Sequence, residues 1–401
     1  MVRTASAYGP EFSADRRLQR RREYDMPYDL NEMLRHMVEI KASDLHLRVG
    51  SPPVFRVDGA LQPYGQERLS PDWLSEAKER VLTDKQKKIL YEELAVDSSY
   101  AIESFTRFRI NVFYQRGTVS MAFRNIFTTV PTIESLGLPT VLASICQRPQ
   151  GLVLVCGPTG SGKSSTLAAM LQSINESRTA HIVIIEDPIE YLFRDNKSFI
   201  TQREVGVDTV GYEIALKNAM RQDPDIILIG EVRGVDTMQT ALSAAETGHQ
   251  VFTTVHANSS YDAISRIVDS FPGDMRQLVR KQISEVLIAS IYQRLLPRLD
   301  FEGRIGAIEI LIKSPRIRDL IEKNELKSIR DEMERSVTIN RMQTIEQSLV
   351  ALIANKMVSF KEALNATLLP GEMKLLMDKL GISETGDIME AGMVDHEGIV
   401  L

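Results

Sequence analysis

The sequence predicts an α/β protein. An α+β domain with a mostly antiparallel sheet precedes an α/β domain on a largely parallel sheet, and a helical C-terminal region follows. Three observations carry this. Residues 27–127 contain alternating stretches, such as Leu45, Leu47 and Val49 separated by His46 and Arg48, which is the pattern of strands buried on one face. From about residue 140, short apolar runs at 152–156, 181–185, 225–229 and 251–255 alternate with helical segments, as parallel strands with helical crossovers do. After residue 307 the chain is mostly helical, with amphipathic stretches near 315–330, 344–355 and 360–379.

Residues 1–26 are polar and rich in arginine (Arg16, Arg17, Arg20, Arg21, Arg22) and read as a disordered basic leader. The alternative is a basic arm that touches acidic lipid or a partner. Leu30, Met33, Leu34, Met37 and Ile40 then fall at helical spacing. Ser51-Pro52-Pro53 ends the first strand, 54–57 is a second, and Asp58-Gly59 is a hairpin signal. Residues 71–94 are helical in pattern, and 105–114 with 119–126 form a hairpin around Arg116-Gly117. Pro131 and Gly137-Leu-Pro139 interrupt regular structure, which makes 128–139 a linker. The α/β core is expected over 140–306 and the helical region over 307–380. Residues 381–401, with Glu384, Asp387, Glu390, Asp395 and Glu397, read as a solvated acidic tail.

Composition narrows the class. The 401 residues are 43% hydrophobic and 25% charged, which is ordinary for a soluble globular chain. No run approaches the length of a membrane span, and the N-terminus lacks the apolar core of a secretory signal. The only cysteines, Cys146 and Cys156, form no C-x-x-C pair, so neither a structural zinc nor a disulfide framework is expected. The chain reads as cytosolic. A net charge of −6 weighs against a dedicated nucleic-acid binder.

The strongest local signal is Gly157-Pro158-Thr159-Gly160-Ser161-Gly162-Lys163-Ser164. It follows the apolar run 151–156 and enters a helical stretch that begins with Ser165, the strand–loop–helix context of a phosphate-binding loop. Glycines let the backbone N–H groups of Gly160, Gly162 and Lys163 converge on phosphate oxygens, and the helix N-terminus adds partial positive charge. Lys163 can reach the terminal phosphates, and the Ser164 hydroxyl can ligate Mg²⁺.

Three constellations lie at the ends of the core strands, where ligands of such sheets bind. Glu186, Asp187 and Glu190 leave strand 181–185. A carboxylate there can orient or deprotonate an attacking water, and the alternative is a turn that favours Asp-Pro. Glu231, directly after Gly230, ends the apolar strand as the Mg²⁺-holding acid of a phosphate-loop NTPase does, and its length suits contact through a water. Arg233 is a candidate partner for one of these acids. His249 and His256 flank strand 251–255 and are candidates to sense the terminal phosphate; the alternative is that each is structural. Arg107, Arg109, Arg116 and Arg124 crowd the first domain's hairpin. They read either as a solvated basic face or as arginines that reach a neighbouring subunit's phosphate.

Taken together, Gly157–Ser164, Ile185–Glu190, Arg221–Asp225 with Gly230–Arg233, and Ala244–His249 with His256 resemble the secretion-type hexameric ATPases that power type II secretion and type IV pili, over residues 28–365. Ala42-Ser-Asp-Leu-His-Leu is similar to the opening of that family's PAS-like N-terminal domain, and the resemblance implies a RecA-like ATPase core behind it. Without the paired C-x-x-C motif and the long N-terminal extension of extension and secretion ATPases, the chain looks most like the retraction branch. Ser314–Glu322 is loosely similar to that branch's C-terminal motif, Gly234 stands where Asp is common, and the acidic tail suits an accessory retraction ATPase.

The resemblance implies ATP and Mg²⁺ as ligands, with Gly157 to Ser165 as the nucleotide loop. Glu190 would be the catalytic carboxylate with Glu186 and Asp187 beside it, Glu231 the Mg²⁺-associated acid, and His249 and His256 a histidine pair. Arg109 and Arg124, with Arg107 close behind, would act across a subunit interface. It further implies a cytoplasmic homohexamer seated on an inner-membrane platform protein and coupling ATP hydrolysis to pilus retraction, without zinc or nucleic acid. An extension or type II secretion ATPase is the alternative within the family, and a nucleic-acid translocase or helicase the alternative outside it.

Overall fold

The computed structural model describes residues 28–57, 59–102, 106–126, 129–232 and 234–387. Within them the chain is mixed α/β with two sheets and divides into two compact units between Ile126 and Phe127.

The first unit carries six strands: β1 (Asp44–Arg48), β2 (Val54–Val57), β3 (Ala60–Pro63), β4 (Ala95–Ile102), β5 (Thr106–Gln115) and β6 (Thr118–Asn125). They form one sheet in the order β3-β2-β1-β6-β5-β4, antiparallel at every joint. The β5–β6 turn has positive φ at both Arg116 (51°) and Gly117 (77°), the geometry that matches the twist of a two-residue hairpin. Phe108, Ile110, Val112, Met121 and Phe123 are buried with Leu30, Leu34 and Met37 of the helix Leu30–Glu39 and with Trp73 and Leu74 of the helix Pro71–Val81. One sheet face is therefore covered, and the alternate residues Arg107, Arg109 and Arg124 lie on the other. The expected helix 71–94 is two helices, Pro71–Val81 and Asp84–Glu93. Leu82 is extended, and Thr83 starts the second helix with a reciprocal side-chain cap to Gln86.

The second unit carries β7 (Gly151–Cys156), β8 (His181–Glu186), β9 (Phe199–Glu204), β10 (Ile226–Ile229), β11 (Gln250–Val255), β12 (Leu287–Pro297) and β13 (Arg304–Ile312) in the order β13-β12-β7-β11-β10-β8-β9. All neighbours are parallel except β12 and β13. The apolar runs are continuous because both faces are covered. Leu152, Leu154, Val183, Ile185, Ile227 and Ile229 pack into the cluster shared with the helices Val235–Glu246, Ser260–Ser270 and Arg276–Val286. Val153, Val155, Ile182, Ile184, Ile226 and Leu228 pack on the opposite side, against the helices Val141–Cys146 and Lys163–Ser177.

The structure departs from the expected segmentation in two places. Strand β13 crosses the boundary drawn at 306/307, so the helical region begins only with the helix Pro315–Glu322. The segment expected as a linker is packed rather than free from Ile133 onward: Ile133 and Leu136 lie against the second unit's core and Leu138 is buried in it. Of the acidic tail, residues 381–387 are described: Ile382 is buried in the second unit's core, and Asp387 accepts a hydrogen bond from the Lys356 Nζ at 2.8 Å. The remainder of that tail, the basic leader and Arg233 lie outside the described residues.

Candidate nucleotide-binding site

The loop 157–162 leaves the carboxyl end of β7 and enters the helix Lys163–Ser177. Three of its glycines have left-handed or otherwise positive φ: Gly157 (146°), Gly160 (76°) and Gly162 (89°). A Cβ at Gly157 would lie 2.5 Å from the Gln293 carbonyl oxygen, whereas one at Gly160 would meet nothing within 4 Å. Gly157 is thus required by close packing, and Gly160 by backbone conformation alone.

Lys163 Nζ donates to the carbonyl oxygens of Gly157 (3.1 Å) and Pro158 (3.0 Å), so its ammonium is folded over the loop. Burial pushes its pKa below the usual lysine value, while the carboxylates of Glu231 and Glu190 oppose that shift. The fields of Glu231 and Glu190 therefore meet at Lys163, although the two acids come from different strands.

Strand register explains the gathering. Ile229 pairs with Ile185 on one side and Thr253 on the other, and Val255 pairs with Cys156. The residues that follow or end these strands, Glu186, Glu231 and His256, sit on the same edge of the sheet as the loop. Gly230 N donates to Ile185 O at 2.8 Å, and Thr254 Oγ1 donates to Gly230 O at 2.6 Å, which fixes the backbone just before Glu231. His256 Nε2 lies 3.6 Å from Glu231 Oε1.

The three acids of the 186–190 segment differ in kind. Asp187 and Glu190 are exposed. Part of Glu186 reaches the surface, but its Oε2 is enclosed and has no hydrogen-bond partner among the described residues. Burial, reinforced by the charges of Glu190 and Glu204, lifts its pKa to about 8. A carboxyl in that state is protonated near neutral pH and is poorly suited to act as a base there, whereas Asp187 and Glu190 are open to solvent.

The two histidines separate. His256 follows the carboxyl end of β11, beside Glu231. His249 precedes the amino end of the same strand, where its backbone carbonyl accepts from Gly151 N and its Nδ1 donates to Ala244 O at 2.9 Å. At the strand rise, β11 puts roughly 20 Å between them. The expectation that His249 shares the site with His256 is therefore corrected: in its own chain His249 caps a helix end on the opposite edge of the sheet.

The arginines belong to the first unit. Arg109 and Arg124 are direct cross-strand partners on β5 and β6. Arg124 Nε donates to Asp44 Oδ1 at 2.9 Å, and an Arg109 guanidinium nitrogen lies 3.9 Å from Asp97 Oδ1. Arg107 donates to Ser99 Oγ at 2.6 Å.

Two residues absent from the sequence reading touch the loop. Tyr191 OH is hydrogen bonded to Ser165 Oγ at 2.8 Å, which ties the 186–190 segment to the first turn of the loop's helix. Gln293 on β12 donates its amide to Ser161 O at 2.6 Å. A polar residue inside the apolar stretch 287–296 was the available signal for Gln293; Tyr191 had only its position next to Glu190.

A glycine loop at a strand's carboxyl end, a lysine within the fields of two acids, and oxygen donors at Ser164 and Glu231 define a site suited to a polyphosphate and a hard divalent cation. The chain belongs to the Type II/IV secretion system protein family, whose model matches residues 22–368. It is 40% identical to the type IV pilus retractation ATPase PilT of Pseudomonas aeruginosa over 85% of this chain and 99% of that protein. To the type IV pilus ATPase PilU of the same organism it is 39% identical, over 90% and 94% respectively. Its fold matches the crystal structure of the pilus retraction motor PilT with bound ADP at a TM-score of 0.80 and 41% identity, covering 87% of this chain and 99% of that one.

Proposed function

We propose that this protein is a motor ATPase of type IV pilus retraction. The observation that carries the reading is the glycine loop between β7 and the helix Lys163–Ser177 with the Lys163 ammonium folded over it, in a chain 40% identical to PilT over 85% of its length. ATP is hydrolysed to ADP and phosphate. The loop residues Gly157 to Ser165 hold the nucleotide, Glu190 orients the water, and Ser164 and Glu231 hold Mg²⁺, Glu231 through a water. The bound cation supplies charge neutralisation at the phosphates.

The first unit is PAS-like and the second RecA-like, with a basic leader before residue 27 and an acidic tail after 380. Six copies form a cytoplasmic ring against an inner-membrane platform protein, without zinc or nucleic acid. Among the described residues no helix is long and apolar enough to cross a membrane; membrane association is proposed to run through that partner. Arg109 and Arg124 complete a neighbouring subunit's site, which makes firing depend on contact between subunits.

Deleting the gene in its host is the direct test. Excess surface pili with lost twitching support retraction, as a primary or an accessory motor, whereas bald cells indicate an extension role. In vitro, Lys163→Ala should abolish turnover. Stimulation of hydrolysis by single-stranded DNA would instead favour a translocase.

A further inference from the structure

Gln293 lies beneath the phosphate loop and touches it at three places. Its side-chain Nε2 donates to Ser161 O at 2.6 Å. Its backbone carbonyl occupies the space where Gly157 would carry a Cβ, and its Nε2 lies 3.1 Å from the corresponding point at Gly162. The residue is 1% exposed. It is delivered there by the β12–β7 pairing, in which its neighbour Tyr292 is opposite Cys156, the last residue before the loop.

Two polar atoms at this contact have no hydrogen-bond partner among the described residues: Gln293 Oε1 and Ser161 Oγ. Buried polar atoms are nearly always paired, and exceptions concentrate where a structure must rearrange or bind. An apolar side chain would fill the floor of the loop more cheaply than an amide that satisfies only one of its ends. The amide's useful property is its donor, which fixes the Ser161 carbonyl and so turns the N–H of the same peptide, that of Gly162, to the opposite side.

We infer that Gln293 is a positioning residue for nucleotide binding: it holds the Ser161 peptide so that the Gly162 amide is aligned before phosphate arrives. This rests on the reading of the loop as an ATP site. Because β12 also pairs with β13, the same contact ties loop geometry to the strand pair that leads into the C-terminal helices.

The test compares wild type, Gln293→Leu and Gln293→Glu in steady-state ATP hydrolysis. Gln293→Leu should raise KM for ATP about tenfold, the size of one lost hydrogen bond to a buried acceptor, with a smaller change in kcat. Gln293→Glu adds a readout that packing alone would not move. Its carboxyl donates to Ser161 O only when protonated, so its deficit relative to wild type should shrink as pH falls and widen as pH rises. Gln293→Leu should show no such trend. An unchanged KM in Gln293→Leu, or a Gln293→Glu deficit that is constant with pH, overturns the inference; if Gln293→Leu does not fold, the Gln293→Glu profile decides alone. A wild-type protein without ATP turnover removes the nucleotide reading itself, whereas active wild type with indifferent Gln293 variants removes only this one.

Discussion

The hydroxyls of Ser165 and Tyr191 are 2.8 Å apart, joining the first turn of the phosphate-loop helix to the segment that carries Glu190. Glu190 is exposed, and its neighbour Tyr191 is the anchor that holds it against the loop. Tyr191→Phe should therefore lower kcat about five- to tenfold, the worth of one hydrogen bond, while KM for ATP changes less. A steady-state comparison in which KM rises and kcat holds would place Tyr191 in nucleotide binding instead.

Glu190→Gln should stop hydrolysis while fluorescent-nucleotide titration shows ATP binding retained. Glu186→Gln should be far milder at pH 7, because the native carboxyl is already protonated there and the amide copies its shape. The opposite ranking of the two variants would transfer the role of base to Glu186.

The same carboxyl makes stability depend on pH. Its folded pKa is about 8 against an ordinary value of 4.5. Between those values the unfolded chain has released a proton that the folded protein still holds, so this group erodes stability as pH rises through the window. Glu186→Gln abolishes that slope. Its melting-temperature advantage over wild type should grow from about pH 5 to about pH 8 and then level off; a pH-independent difference would mean Glu186 ionises normally.

Arg124 is 66% exposed, and its buried partner Asp44 keeps the Ser43 hydroxyl and Arg56 as neighbours when Arg124 is removed, so the pair contributes on the order of 1 kcal/mol. Arg124→Ala and Arg109→Ala should accordingly melt near wild type. If these arginines act on a neighbour's phosphate, kcat should nonetheless fall roughly 10³-fold. Full activity in both variants would return them to a solvated basic face.

The sheet's middle was legible because burial on both faces makes a strand apolar throughout, and β7 with its glycine loop has no other reading. Strand β12 was not legible: Leu287 to Leu296 mixes Ser290, Tyr292 and Gln293 with aliphatics directly after the helix Arg276–Val286, and only pairing with β7 decides its conformation. Gln293 was lost with it. Strand β9 was not singled out because, as a partly exposed edge, it carries Thr201, Gln202 and Arg203 instead of an apolar run. The histidines misled for a simpler reason. Seven residues are close in sequence, but an extended strand spends them crossing the sheet.

The electrostatics of Lys163 and Glu186 carry a last consequence. Burial biases the lysine toward losing its proton and the glutamate toward keeping one. An incoming polyanion strengthens the hold on protons at both positions. For the Glu186 carboxyl, whose pKa is lifted to about 8, linkage means that the affinity of the loop for nucleotide should fall as pH rises through that range.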